Sequence, residues 1–367
     1  MLKPSLNWLL IFVPIAIGLH YFAPATELWI FSAACLAIIP LAGWLGQATE
    51  QIAHRTSEGI GGLLNATFGN AAEMIIALMA LRGGLYDIVK ASLTGSIIGN
   101  ILLVLGASML AGGLRFKTQQ FNPVGSQMQA TLLLLAAIAM VLPAAFHHLT
   151  GPAAHEQEID LSLEIAVVLL ITYGLSLLFA LHTHKQIISS TGDAELASPG
   201  PAAQPWSVRH ALTVLALATV LIAWLSEILV GSVEHAAAAL GMTSIFVGVI
   251  VVAIIGNAAE HSTAILVAVK NRMDMSLGIA IGSSIQIALF VTPVLVLASL
   301  VIGPQPMDLV FTPAEVIAVV LAALITAQIA GDGQSNWLEG VQLLAVYLIL
   351  AIVFYFLPEA SGAAQPN

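Results

Sequence analysis

Charge is what this chain has least of: Asp, Glu, Lys and Arg make up 8% of its 367 residues, while 59% are hydrophobic. A water-facing surface draws on roughly 25% charged residues, so this chain cannot cover itself with polar side chains and its main solvent is lipid. Cysteine is almost missing. The single Cys35, set in an apolar run, excludes an intrachain disulfide or a thiolate metal site and reads as a packed apolar residue. Basic residues are too few, at a formal net charge of -10, to form the patch that phosphates require, which excludes nucleic acid as a partner. No H-E-x-x-H spacing occurs, which argues against an intramembrane metalloenzyme. The first apolar segment lacks an A-x-A type cleavage site and reads as a retained span.

What is present is a succession of apolar runs near the roughly 20 residues that a spanning helix needs. They lie near 7–23, 27–47, 59–82, 86–112, 126–146, 160–182, 207–231, 241–269, 275–302, 312–330 and 336–357. The expectation is an all-α integral membrane protein of about eleven transmembrane helices. Lys and Arg mark the cytoplasmic breaks: Lys3, Arg55, Arg115, Lys117, Lys185, Arg209, Lys270 and Arg272 fall on one side, Arg82 and Lys90 on the other. The opposite breaks are acidic and rich in histidine, with His147, His148, His155, Glu156, Glu158 and Asp160. This predicts a cytoplasmic N-terminus and an external C-terminus. A Pro-, Gly- and Ser-rich stretch at 183–206 reads as a cytoplasmic linker between membrane segments 27–182 and 207–357. An extra N-terminal helix (1–26) and a tail (358–367) complete the division.

The chain repeats itself. The pentapeptide GNAAE occurs at Gly69–Glu73 and again at Gly256–Glu260, an interval of 187 residues from Asn70 to Asn257. Gly95-Ser96 recurs at the same interval as Gly282-Ser283. Equivalent positions are five helices apart, and an odd number reverses the direction of crossing. The copies are therefore expected to be inverted repeats related by an axis in the membrane plane, each five helices long. Each GNAAE falls near the centre of its helix and so near the midplane.

Glu73 and Glu260 are carboxylates at a depth where an isolated charge costs upward of about 2.5–3.5 kcal/mol. Asn70 and Asn257 precede them by three residues, a spacing that puts amide and carboxylate on one helix face. Gly69 and Gly256 weaken the helix and free carbonyls, which this depth tolerates only around a cavity or an ion. Ser96 and Ser283 can add hydroxyl oxygens, although small residues also pack helices closely. Gln286 and Asn100 are secondary candidates, because by the repeat interval Asn100 matches Ile287. His261 follows Glu260 directly and is a candidate proton relay or an interhelical hydrogen-bonding residue. An all-oxygen set with two carboxylates suits a hard cation such as Ca²⁺.

At GGLLNATFGNAAE (Gly61–Glu73), GNAAEH (Gly256–His261), GSIIGN and GSSIQI the sequence resembles the Ca²⁺/cation antiporter superfamily, specifically its Ca²⁺/H⁺ exchanger branch. The resemblance covers about Glu27 to Leu357. It implies a five-plus-five inverted core with an added N-terminal helix, and Glu73 and Glu260 binding Ca²⁺ and protons in turn. Ca²⁺ is then a transported substrate and no cofactor is implied. Members with an acidic helix between the halves differ from this chain, whose linker holds only Asp193 and Glu195. The expected function is secondary antiport of Ca²⁺ against H⁺ by alternating access, in a prokaryotic inner membrane. A homo-oligomer is left open. The rivals are a Na⁺(K⁺)/H⁺ or other cation/H⁺ antiporter of the same fold and, from another class, a cation channel.

Overall fold

Apolar runs of this length fold as helices because a helix satisfies all its backbone groups within one segment. The computed structural model describes residues 6–56, 58–151, 154–184 and 206–358. The helices are α1 (Leu6–Phe22), α2 (Glu27–Ala53), α3 (Glu58–Phe68), α4 (Ala71–Arg82), α5 (Tyr86–Gly113), α6 (Pro123–Thr150) and α7 (His155–Thr183). They continue with α8 (Val208–Ala239), α9 (Ser244–Gly256), α10 (Ala258–Val269), α11 (Met273–Ser299), α12 (Pro313–Ile329) and α13 (Trp337–Phe356). Among the described residues, 7 helices are long and apolar enough to cross a membrane, or up to 8 if the bent pair α9–α10 is one span. Most of the linker 183–206 and all of the tail after 358 lie outside the described residues.

Two apolar cores organise the helices. One joins α2 and α8, which pack along each other, with α4, α9 and Ala16 of α1. The other is built from α5, α6, α7, α11, α12 and α13, with Ala264 and Ala268 of α10. α1 lies on α2 and α8, at the edge of the first core. Cys35 is buried there, as an apolar residue should be.

The connections gather at two ends. At one, strand β1 (Gln119–Gln120) pairs antiparallel with β2 (Gln334–Ser335), Gln119 donates to Ala268 O at 2.8 Å and to Asn271 Oδ1 at 3.1 Å, and Arg55 donates to Trp206 O. This end carries Arg115, Lys117, Arg209, Lys270 and Arg272, and is called the basic end below. At the acidic end, Glu27 meets His235 at 3.0 Å, Tyr86 donates to Gln305 O at 2.7 Å, and Ser162 accepts from Leu309 N at 2.9 Å. Lys90, one of the two basic residues there, is buried against Asp308 and the Val310 carbonyl. It is an internal ion pair and not a loop charge.

The structure corrects several sequence boundaries. The acidic, His-rich break is mostly helix: α6 runs to Thr150 and α7 starts at His155. Glu158 is buried and takes His147 Nδ1 at 2.8 Å, so the polar residues there pair across two helix ends. α8 continues to Ala239, past the expected 231, because Glu234 and His235 sit on its exposed face.

Close helix contacts depend on glycine. A Cβ on Gly340 of α13 would stand 2.6 Å from the Gly106 carbonyl of α5 and would overlap Leu110 N. Gly340→Ala is therefore expected to cost roughly 1–3 kcal/mol, read as a lower unfolding temperature in detergent. Gly18→Ala on α1, where nothing lies within 4 Å, should leave that temperature unchanged.

Candidate cation site at the two helix breaks

The GNAAE segments interrupt their helices at the same residue. Asn70 caps α4 with φ −99° and ψ 29°, and Asn257 caps α10 with φ −93° and ψ 3°. Neither side chain caps its own helix. The second break bends the chain by 61°. A break leaves the last carbonyls of α3 and α9 and the first N–H groups of α4 and α10 without helical partners. Glu73 and Glu260 lie in the first turns of α4 and α10, where the helix dipole favours negative charge. The carbonyl ends of α3 and α9 face the same junction and favour a cation.

Freed from their helices, the two asparagines reach across the molecule. Asn70 Nδ2 donates to Gln286 Oε1 at 2.7 Å, and Asn70 Oδ1 accepts from Ser283 Oγ at 2.8 Å. Asn257 Nδ2 donates to Ser96 Oγ at 3.0 Å and to the Ala253 carbonyl at 2.9 Å. Asn100 Nδ2 closes the network, donating to Ser283 Oγ at 3.0 Å and more weakly to Asn257 Oδ1 at 3.4 Å. The pairs Asn70–Ser283 and Asn257–Ser96 exchange places under the repeat interval. The two breaks are thus tied to α5 and α11 by equivalent Asn–Ser pairs, with Ser283 donating in one and Asn257 in the other.

The carboxylates lie beside this network. A Cβ on Gly256 would stand 3.3 Å from Glu73 Cγ and 3.5 Å from its Oε1, so the first carboxylate rests against the second break. Glu260 follows Gly256 by four residues in the first turn of α10, so both carboxylates belong to this break. Ser283 Oγ gives its one proton to Asn70 Oδ1 and accepts from Asn100. Glu260 Oε2 is buried with no hydrogen-bond partner, which leaves a strong acceptor open to a cation or a proton.

All the candidate residues converge here, with changes of role. Asn70 and Glu73 do not act from one continuous face as the i, i+3 spacing implied: Asn70 ends the helix at the turn, so its amide points to α11 while Glu73 points to Gly256. Gly69 and Gly256 give close approach, since a Cβ on Gly69 would stand 3.3 Å from Gln286 Oε1. Asn100 and Gln286, secondary in the sequence, are full members of the network. Their signal was spacing to the serines, four residues from Ser96 and three from Ser283, each on the serine's own helix face. π-turns at Gly99–Val104 and Ile287–Val291 adjust the register at that depth. His261 Nε2 is buried without a partner, so that nitrogen makes no interhelical hydrogen bond. Among the described residues no group of three His, Cys, Asp or Glu side chains is placed to hold a metal ion. Amide, hydroxyl and carbonyl oxygens must therefore complete any ion shell around the two carboxylates, a donor set for hard cations.

The model of the sodium/calcium exchanger protein family matches residues 26–182 and 210–356, covering both breaks. The chain belongs to that family. The exchanger is 47% identical over 359 residues to a Ca²⁺/H⁺ antiporter of Aphanothece halophytica, covering 95% of this chain and 96% of the relative. It is 45% identical over 329 residues to the Ca²⁺/H⁺ antiporter ChaA of Bacillus subtilis, covering 89% and 92%. The solved structure of native YfkE superposes with a TM-score of 0.81 at 41% identity, over 96% of this chain and 100% of that one. The resemblance read from the two GNAAE motifs is borne out by these relatives, and the exchanger is a transporter and not an enzyme.

Ser283 is the hub, since its hydroxyl donates to Asn70 and accepts from Asn100. Ser283→Ala strands buried amide groups and should cost roughly 1–3 kcal/mol of stability, measured as reduced thermal stability in detergent. Ser262→Ala, whose hydroxyl bonds only its own helix at Ala259 O, should leave it near wild type.

Proposed function

We propose that this exchanger moves Ca²⁺ against H⁺ across its membrane, with Glu73 and Glu260 binding either one Ca²⁺ or protons. The observation that carries the reading is Glu260 Oε2, a buried carboxylate oxygen with no partner, on the break against which the Glu73 carboxylate rests. The relatives named Ca²⁺/H⁺ antiporters over nearly the whole chain support the choice of ions.

The mechanism follows from electrostatics. Two ionised carboxylates together in a poorly solvated site repel each other and lose hydration. One divalent cation or protons on the carboxylates remove both costs, so these loaded forms can be turned to the other side. The empty, doubly charged form cannot readily turn, and the result is exchange without leak. Asn70, Asn257, Ser96, Ser283, Gln286 and Asn100 add neutral oxygens and fix the carboxylates in place. Gly69 and Gly256 let the helices approach, and His261 stands next to the site as a candidate relay.

The architecture completes the proposal. Counting α1, α2, α3–α4, α5, α6, α7, α8, α9–α10, α11, α12 and α13 as one crossing each makes eleven spans. Residues 27–182 and 207–357 are then two inverted five-helix repeats and α1 stands outside them. The shared bonds Asn70–Ser283 and Asn257–Ser96 and the gathering of connections at two ends support this arrangement. With basic residues on the cytoplasmic side, the basic end faces the cytoplasm of a prokaryotic inner membrane.

Glu73→Gln and Glu260→Gln keep the side-chain shape but lose the titratable charge. Each should abolish Ca²⁺-driven proton flux in proteoliposomes while the protein still inserts; near-normal flux from either would defeat the assignment. The wild-type screen should include Mg²⁺, Mn²⁺, Na⁺ and K⁺, and Ca²⁺ should drive the fastest flux. Protons and Ca²⁺ compete for the same oxygens, so apparent Ca²⁺ affinity should rise as pH rises and weaken as the pair is protonated. Affinity that does not change with pH would put the proton route elsewhere.

A further inference from the structure

The repeat interval pairs α3 with α9 and the first half of α5 with that of α11, yet the two pairs are packed differently. At the acidic end α9 lies directly on α5. A Cβ on Gly95 would overlap the Val249 carbonyl, and one on Gly248 would stand 2.7 Å from Ala91 Cβ. Ala91, Gly95 and Gly99, one face of α5, are all buried. At the basic end the counterparts stand apart. Gly278 and Gly282, which match Ala91 and Gly95, have nothing within 4 Å of their Cβ positions. With Gln286 they form a face of α11 that keeps part of its surface open. On α3, Ile60 is 54% exposed, whereas its counterpart Val247 on α9 is 1% exposed. Gly62, the counterpart of Val249, faces the Leu181 side chain, and Gly61, the counterpart of Gly248, faces the Ala53 carbonyl.

We propose that α3 closes onto α11 by seating Gly61 and Gly62 against Gly278 and Gly282, and that this contact is the basic-end gate. It is the mirror image of the contact that α9 makes with α5, so the present structure is closed at the acidic end and open at the basic one. The proposal rests on the exchanger reading, which needs a site exposed to one side at a time. Three observations carry it. The same packing exists once in the molecule, which shows that two such segments can meet in that geometry. All four facing positions are glycine, and Gly278-x-x-x-Gly282 is the spacing that lets helix backbones approach closely. Closure also buries Ile60 and Leu63, apolar side chains that are 54% and 53% exposed in the open form. The open face runs from Gly278 through Gly282 to Gln286, and Gln286 holds Asn70, so the gate leads to the site.

Gly282→Leu separates closure from binding. The open space around Gly282 accommodates the new side chain, but it stands where Gly62 would seat. Equilibrium Ca²⁺ binding to the purified variant should stay within about threefold of wild type. Ca²⁺/H⁺ exchange in proteoliposomes should fall at least about tenfold, the scale of overpacking a closed contact. Exchange at the wild-type rate would overturn the gate and leave the exchanger reading intact. A second arm needs neither transport nor that variant: Gly62→Cys with Gly282→Cys, in a Cys35→Ala background. Oxidant or a short bifunctional thiol reagent should link the pair in membranes, with the yield changing between Ca²⁺-loaded and Ca²⁺-free protein. No link in either state would overturn the gate even if Gly282→Leu failed to fold. A link in a protein without exchange would support the gate and count against the exchanger reading.

Discussion

Everything at the centre of this protein depends on interrupting two helices in surroundings that supply little water. A helix break frees backbone carbonyls and N–H groups, and an unsatisfied polar group in an apolar environment costs several kcal/mol, about 2–7 depending on the reference. The structure meets that demand by pairing across the molecule. Each break sends its asparagine to a serine on a helix of the other half, and Asn100 links the two pairs. Neither break is satisfied wholly within its own half. That shared bonding brings Glu73 and Glu260 to one place.

The same network explains why the site suits an ion that comes and goes. Its neutral groups bond mainly one another, which holds the scaffold in shape when the site is empty. The carboxylates are less completely bonded, with Glu260 Oε2 left open, and in the proposed exchange they carry the part of the binding energy that changes when a proton replaces a divalent cation. Helix ends suit both charges: Glu73 and Glu260 stand at positive N-termini, and the carbonyl ends of α3 and α9 favour a cation at the breaks. The polarity needed for exchange comes from this geometry and not from a large number of charges. That is how a chain with 8% charged residues can hold such a site.

Two copies of one sequence pattern need not adopt one packing. α9 is wedged on α5 while α3 stands away from α11, although the segments correspond residue by residue. The glycines make both arrangements available, because a backbone without Cβ atoms can be approached closely or left exposed without filling or emptying a side-chain pocket. Larger residues at Gly278 and Gly282 would favour a single packing.

By itself the sequence determined the solvent, the class of fold, the helix breaks and the two glutamates. Scarce charge and apolar runs leave no other way to satisfy a backbone in lipid, and GNAAE at a fixed interval marks an internal repeat whatever the packing. Cys35, Ser96, Ser283 and the glycines were likewise legible from residue type and spacing. The tertiary structure alone decided the partners. Sequence spacing put Asn70 on the face of Glu73, but a helix that ends at Asn70 turns its amide towards Ser283 and Gln286. Asn100 matched nothing polar at the repeat interval, yet it became the link between the halves because a register of 187 residues does not account for reach or for π-turns. The acidic break read as a loop proved to be two helix ends pinned by Glu158 and His147, a pair whose meeting depends on the angle between α6 and α7. The open and closed ends could not be read from the repeat interval, which pairs positions and not side chains: Gly62 answers to Val249, and Gly278 to Ala91. Only packing distinguishes them, because it depends on how whole helices lie against each other and not on what any one of them contains.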